Sequence, residues 1–166
     1  MTTTKTNGKP TKATKNQATI AALQKAYSME METVANYLAD SVNLDGVMAE
    51  EIKKTLATEV AAELEHARRL AKRIKQLHGH VPGPTDIEIT HSHMDAGDSR
   101  TNVEPIIRAV ITDESAAVDH YRQIIKDTEG SDYVTQDLCI ELLGDEEEHL
   151  TLFEGFLKDY KPDEGV

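Results

Sequence analysis

Apolar residues recur every three or four positions along four stretches of this chain, and polar segments separate the stretches. The first runs from Ala18 to Val42, with Ile20, Leu23, Tyr27, Val34 and Tyr37 on one stripe. The second runs from Met48 to Leu77 and carries Ile52, Leu56, Ala67, Leu70, Ile74 and Leu77. The third, Val103 to Lys126, has Ile107, Val110, Ala117, Tyr121 and Ile124. In the fourth, Tyr133 to Tyr160, the stripe is Leu138, Leu142, Phe153 and Phe156. This spacing lays apolar side chains along one face of an α-helix. Aromatics at 4% and an absence of Trp also favour helices over strands.

The connections set the topology. Asn43-Leu44-Asp45-Gly46 and Glu129-Gly130-Ser131-Asp132 are short, so each joins two helices into an antiparallel hairpin. Gly79 to Asn102 is rich in Gly, Pro, Asp, Ser and His and too long for a turn. The expected fold is therefore all-α: an antiparallel four-helix bundle over residues 19–160, with one long crossover between two hairpins and no fifth helix. Residues 1–18 have no apolar periodicity and read as a flexible basic tail. Residues 161–166 read as a short C-terminal tail.

The informative positions are those that interrupt the stripes. Glu30 falls between Tyr27 and Val34 and so faces the core, whereas Glu32 points elsewhere. Glu63 and His66 fall between Leu56 and Leu70. Glu114 falls between Val110 and Ala117, and Glu146 with His149 between Leu142 and Phe153. Each helix thus turns one carboxylate inward, and two helices add a histidine three residues on, on the same face. Buried carboxylates without cationic partners are costly. No Lys or Arg shares these stripes, and a multivalent cation would relieve the repulsion. Glu30 precedes Glu63 by 33 residues, and Glu114 precedes Glu146 by 32. That repeat implies a duplicated hairpin and an approximate two-fold axis. Two metals related by the axis would each meet one terminal Glu, one His and two shared Glu. Carboxylates and imidazoles suit iron and manganese, and admit zinc.

Charge narrows the partners. The formal net charge is -12, which argues against a nucleic-acid or anionic-membrane surface. Lys5, Lys9, Lys12 and Lys15 make the tail +4 and leave -16 on the rest. The tail is read either as a solubilising terminus or as a DNA-gripping arm, and repulsion from the acidic body favours the first. One cysteine, Cys139, allows neither an internal disulfide nor a thiolate cluster, and is read as a packing residue. No stretch is long and apolar enough for a membrane span. The expected location is the cytoplasm. His78, His80, His91 and His93 are read as solvated residues at or in the crossover, and His120 has no evident partner.

From about residue 20 to 160 the chain resembles the ferritin superfamily, and bacterioferritins most closely. Glu30 to Tyr37, ending Val-Ala-Asn-Tyr, is similar to the first-helix motif. Glu63-Leu64-Glu65-His66-Ala67 and Asp145-Glu146-Glu147-Glu148-His149 are similar to the second- and fourth-helix motifs. Glu114 stands where the third-helix ligand belongs. The resemblance implies two iron ions per subunit, with Fe(II) oxidised by O2 or H2O2 and Fe(III) stored in a hollow homo-oligomeric shell. It implies bridging by Glu63 and Glu146, one metal on Glu30 and His66, and the other on Glu114 and His149. Tyr37 would be an electron donor, or else a core tyrosine bonded to a ligand carboxylate. Two departures stand out. Leu64 replaces the haem-ligating methionine of bacterioferritins, so no haem is expected. The missing fifth helix opens smaller assemblies, such as the twelve-subunit shell of Dps-like ferritins or a dimer. Iron oxidation for storage is the leading function. A peroxide reductase-like di-iron enzyme and a DNA-protecting protein are the alternatives.

Overall fold

The computed structural model describes residues 12–89 and 101–160. Four helices carry the fold: α1 Lys12–Asn43, α2 Glu50–Gln76, α3 Glu104–Thr128 and α4 Tyr133–Tyr160. A single 3₁₀ turn, Val47–Ala49, leads into α2. The helix α1 packs along α2, and α3 along α4. The two hairpins meet through α1 against α3 and α2 against α4. Among the described residues there is no strand and no fifth helix.

One boundary differs from the sequence reading. The helix α1 starts at Lys12, so Lys12 to Ala18 are helical rather than part of a tail. Extending an existing helix costs far less than nucleating one, so a polar stretch can follow a stable turn. Tertiary bonds help: Asn16 Nδ2 donates to the Leu77 carbonyl at 3.3 Å, and Gln24 Nε2 donates to that of His80 at 2.7 Å. Lys5 and Lys9, on which the DNA-gripping reading partly rests, lie outside the described residues. So do His91, His93 and the stretch 161–166.

The helix ends have local causes. At the end of α2 the Gly79 amide bonds the Ile74 carbonyl at 2.9 Å and the His78 amide bonds that of Lys75 at 3.0 Å. That double bond pattern needs a left-handed residue, which here is His78 at φ 65°. Glycine follows because a Cβ on Gly79 would sit 2.7 Å from Ile20 Cγ2. At the start of α4, Asp132 Oδ1 accepts from the Thr135 amide at 3.1 Å and from Arg73 Nη2 at 2.6 Å. One side chain thus caps α4 and ties it to α2.

The interior is divided lengthwise. One apolar cluster contains Leu23, Leu70, Ile74, Tyr121, Ile124 and Leu142. The other contains Tyr37, Leu56, Ile107, Val110 and Phe153. Each fully buried Leu or Ile contributes about 1.5–3 kcal/mol of burial free energy. Between the clusters lies the layer of polar side chains that broke the stripes. The site therefore sits in a rigid, close-packed frame.

Candidate metal centre

Glu30, Glu63, Glu114 and Glu146 come one from each helix, and all are at most 3% exposed. His66 and His149 stand one turn beyond Glu63 and Glu146. The structure brings all six side chains together. Glu30, Glu63, His66 and Glu146 offer ligand atoms within 4.8 Å of one another, and Glu63, Glu114, Glu146 and His149 do the same. Glu63 and Glu146 belong to both groups.

Both imidazoles turn Nδ1 inward. His66 Nδ1 lies 3.0 Å from Glu146 Oε1 and 3.3 Å from Glu63 Oε2. His149 Nδ1 lies 3.0 Å from Glu63 Oε1 and 3.4 Å from Glu146 Oε2. The outward nitrogens have separate partners: His66 Nε2 is 3.3 Å from Asp145 Oδ2, and His149 Nε2 is 3.0 Å from Glu59 Oε2. Such outer carboxylates fix the tautomer and orient a ligating imidazole. The phenol of Tyr37 donates to Glu114, and that of Tyr121 to Glu30.

The electrostatics follow from burial and from these pairings. Burial lifts the Glu30 carboxyl far above its usual range, and the charge on Glu146 adds to the lift. Burial, then Glu146 and Glu63, does the same to Glu114. Burial also works on Glu63, but the close imidazoles of His149 and His66 outweigh it and pull the carboxyl down to about 2. Glu146 is likewise lowered against burial by the two histidines. Burial would lower the imidazoles. Instead Glu146 and Glu63 push His149 up to about 11, and Glu146, Glu30 and Glu63 raise His66 above the ordinary imidazole range. In the metal-free cluster these directions favour charged imidazoles at His66 and His149 and retention of the proton by Glu30 and Glu114.

The cluster fits a metal pair on a specific observation. Both oxygens of Glu63, both of Glu146 and the Nδ1 atoms of His66 and His149 are buried and lie 3.0–3.4 Å from one another, yet none of these approaches has the alignment of a hydrogen bond. These are the atoms that converge. Buried polar atoms are seldom left so. Six inward donors of carboxylate and imidazole type suit iron, manganese or zinc.

Some of the surroundings differ from the sequence reading. Glu32 is 4% exposed rather than turned away. With Asp113 it lines a void of about 10 Å³ on the α1–α3 side of the cluster. Asp40 is buried too, and burial raises its carboxyl to about 6. His120 has a partner: its Nε2 lies 2.9 Å from the Ala22 carbonyl. Cys139 is fully buried, and burial pushes its thiol up to about 12. Glu59, Asp145 and Tyr121 were not singled out from the sequence as site residues. Only Tyr121 carries a clear signal, since it follows Glu114 by seven residues as Tyr37 follows Glu30.

A four-helix bundle with a carboxylate–histidine cluster at mid-height has the frame of a di-metal carboxylate protein. The family model for the ferritin-like domain matches residues 20–161, and the chain belongs to that family. It is 26% identical over 136 residues to the bacterioferritin of Desulfovibrio desulfuricans, covering 81% of this chain and 72% of the relative. Among solved structures it is similar to the dodecameric thioferritin, a bacterioferritin-related protein, of Bacteroides fragilis. That match has a TM-score of 0.78 and 26% identity, and covers 87% of each chain. A ferritin-like di-iron carboxylate protein from Bacillus anthracis shares the fold at a TM-score of 0.76 and 17% identity, over 86% of this chain and 97% of that one.

Proposed function

We propose that this protein is a ferroxidase that oxidises Fe(II) with O2 or H2O2 and stores or detoxifies the iron. The observation that carries the reading is the set of six buried ligand atoms that converge in two overlapping groups without an aligned hydrogen bond among them. The relatives support iron as the metal, since one bears the name bacterioferritin and another is described as a di-iron carboxylate protein.

On this reading Glu30 and His66 would hold one iron and Glu114 and His149 the other, with Glu63 and Glu146 shared between the two groups. Two ferrous ions held there would supply two electrons to one oxidant. The chain does the rest. Asp145 and Glu59 hold the imidazoles by Nε2, so that Nδ1 faces the metals. The apolar clusters above and below exclude water and keep the ligands in register. On the same reading Tyr37, 1% exposed and bonded to Glu114, would give an electron and a proton. A homo-oligomeric shell is the assembly that suits storage, and the Bacteroides fragilis relative is described as dodecameric.

Stopped-flow oxidation of Fe(II) by the purified protein tests the proposal. Replacing Glu63 and His66 with Ala should abolish fast oxidation and leave helical circular dichroism intact. Oxidation at the unmodified rate in that variant would overturn the assignment.

A further inference from the structure

The void beside the cluster is lined by Glu30, Glu63, Glu114 and Glu146, and also by Met29 on α1. Two further acids, Thr33 and Ala117 complete the lining. At about 10 Å³ the void is near the least room that admits one water-sized molecule. Carboxylates, a hydroxyl and a methyl resist peroxide, whereas a thioether is oxidised by it. Among the described residues, Met29 therefore brings the one peroxide-sensitive group to this void. Its side chain is 8% exposed and packs into the apolar cluster of Leu23 and Leu142, so it is shielded from oxidants in the solvent. Met48, in the 3₁₀ turn before α2, is 68% exposed.

We infer that Met29 is a site of oxidative modification, its thioether taking an oxygen atom from peroxide formed at the cluster. The inference rests on the ferroxidase reading, with O2 as the oxidant. There O2 gains one electron from each of two Fe(II) ions and two protons from water, giving H2O2 and two Fe(III). A lone pair of the Met29 sulfur then bonds one peroxide oxygen. The O–O bond breaks, and the other oxygen leaves as water with both protons. Sulfur is oxidised from thioether to sulfoxide, and peroxide is reduced to water. Modification thus follows where peroxide is made and not where solvent reaches. The sulfoxide is polar, so each event replaces an apolar wall with an acceptor oxygen beside the carboxylates.

Peptide mapping by mass spectrometry, comparing Met29 with Met48 in the full-length protein, tests this. Metal-free protein treated with reagent H2O2 should carry more sulfoxide at Met48, in keeping with its exposure. Protein turned over with Fe(II) and isotopically heavy O2, with catalase in the solution, should reverse that order. Catalase destroys peroxide in the solvent but is far too large to enter the void. The Met29 sulfoxide should then carry the heavy isotope, whereas oxidation during handling would be light. In the variant with Glu63→Ala and His66→Ala, the same treatment should leave no heavy sulfoxide in excess at Met29. Fast Fe(II) oxidation that leaves Met29 unmodified would overturn the inference. So would heavy label shared equally by Met29 and Met48, or the same excess at Met29 in the variant. Absence of fast Fe(II) oxidation by the unmodified protein would instead sink the ferroxidase reading, and the inference with it.

Discussion

The two hairpins invite comparison because their inner parts match and their outer parts do not. Glu30, Tyr37, Glu63 and His66 on α1 and α2 have counterparts in Glu114, Tyr121, Glu146 and His149 on α3 and α4. Each terminal glutamate accepts from the tyrosine of the opposite hairpin. One layer further out the likeness ends. His149 leans on Glu59, whose side chain is 18% exposed, while His66 leans on Asp145, which is 51% exposed. Glu59 lies four residues before Glu63 and Asp145 one residue before Glu146. The repeat is kept where four carboxylates and two imidazoles must converge on one spot. It is relaxed where either acid can reach the same nitrogen.

The largest effects are expected where this asymmetry is probed directly. Losing an outer partner typically costs 10–100-fold in metal affinity. Glu59→Gln should fall near the upper end, about 100-fold, because its carboxylate is the better shielded from water. Asp145→Asn should fall near the lower end, about 10-fold. Competition with a chelator of known affinity measures both. Equal losses would mean that exposure does not set the strength of these bonds.

Next in size is the coupling of metal to protons. With both imidazoles charged and Glu30 and Glu114 protonated in the metal-free cluster, uptake of two divalent ions must displace about four protons per chain. The sign follows from the raised pKa values of His66, His149, Glu30 and Glu114. Lower pH populates the protonated forms further and weakens binding. An indicator dye in weak buffer should report proton release during Zn(II) addition, and affinity should fall steadily from pH 8 to pH 6. Uptake without release would contradict the charge pattern.

A smaller effect concerns the buried Asp40 on α1. Burial raises Asp40 from 3.8 to about 6. Its folded pKa exceeds the unfolded one, so its contribution is most favourable below pH 4 and is lost as pH rises through 6. Asp40→Asn should stabilise the fold at pH 7 by about 1–3 kcal/mol, with the gain shrinking toward pH 4. Urea unfolding at the two pH values measures it. The least change is expected from haem. Leu64, half-exposed on α2, offers no donor atom, so haem loading should produce no bis-thioether low-spin spectrum.

Much of this was legible in the chain because helices write their faces into spacing. The bounds of α4 agree with its apolar stripe, and those of α2 and α3 agree within two residues. The six polar residues that interrupt the stripes converge because a stripe defines one inward face. What stayed hidden depends on how helices meet. Glu32 and Asp113 line one void where α1 meets α3, which neither helix encodes alone, and Asp40 on α1 is buried too. Asp145 and Glu59 reach across from neighbouring helices, so their pairing is a property of the packed bundle. The start of α1 is not legible because its first two turns carry no apolar stripe, and the bond that ties them down runs from Asn16 to the Leu77 carbonyl, 61 positions away. His78 adopts the left-handed conformation usually left to glycine, and the adjacent Gly79 is needed instead for its contact with Ile20.

One experiment bears most directly on whether the polar layer is a di-iron centre. Crystals soaked in Fe(II) under anaerobic conditions, with anomalous data collected on both sides of the iron absorption edge, would locate the metal. Two iron peaks per chain are expected within the bundle, one beside Glu30 and His66 and one beside Glu114 and His149, with Glu63 and Glu146 between them. Full iron occupancy elsewhere on the molecule, with no anomalous peak among these six side chains, would contradict the proposal.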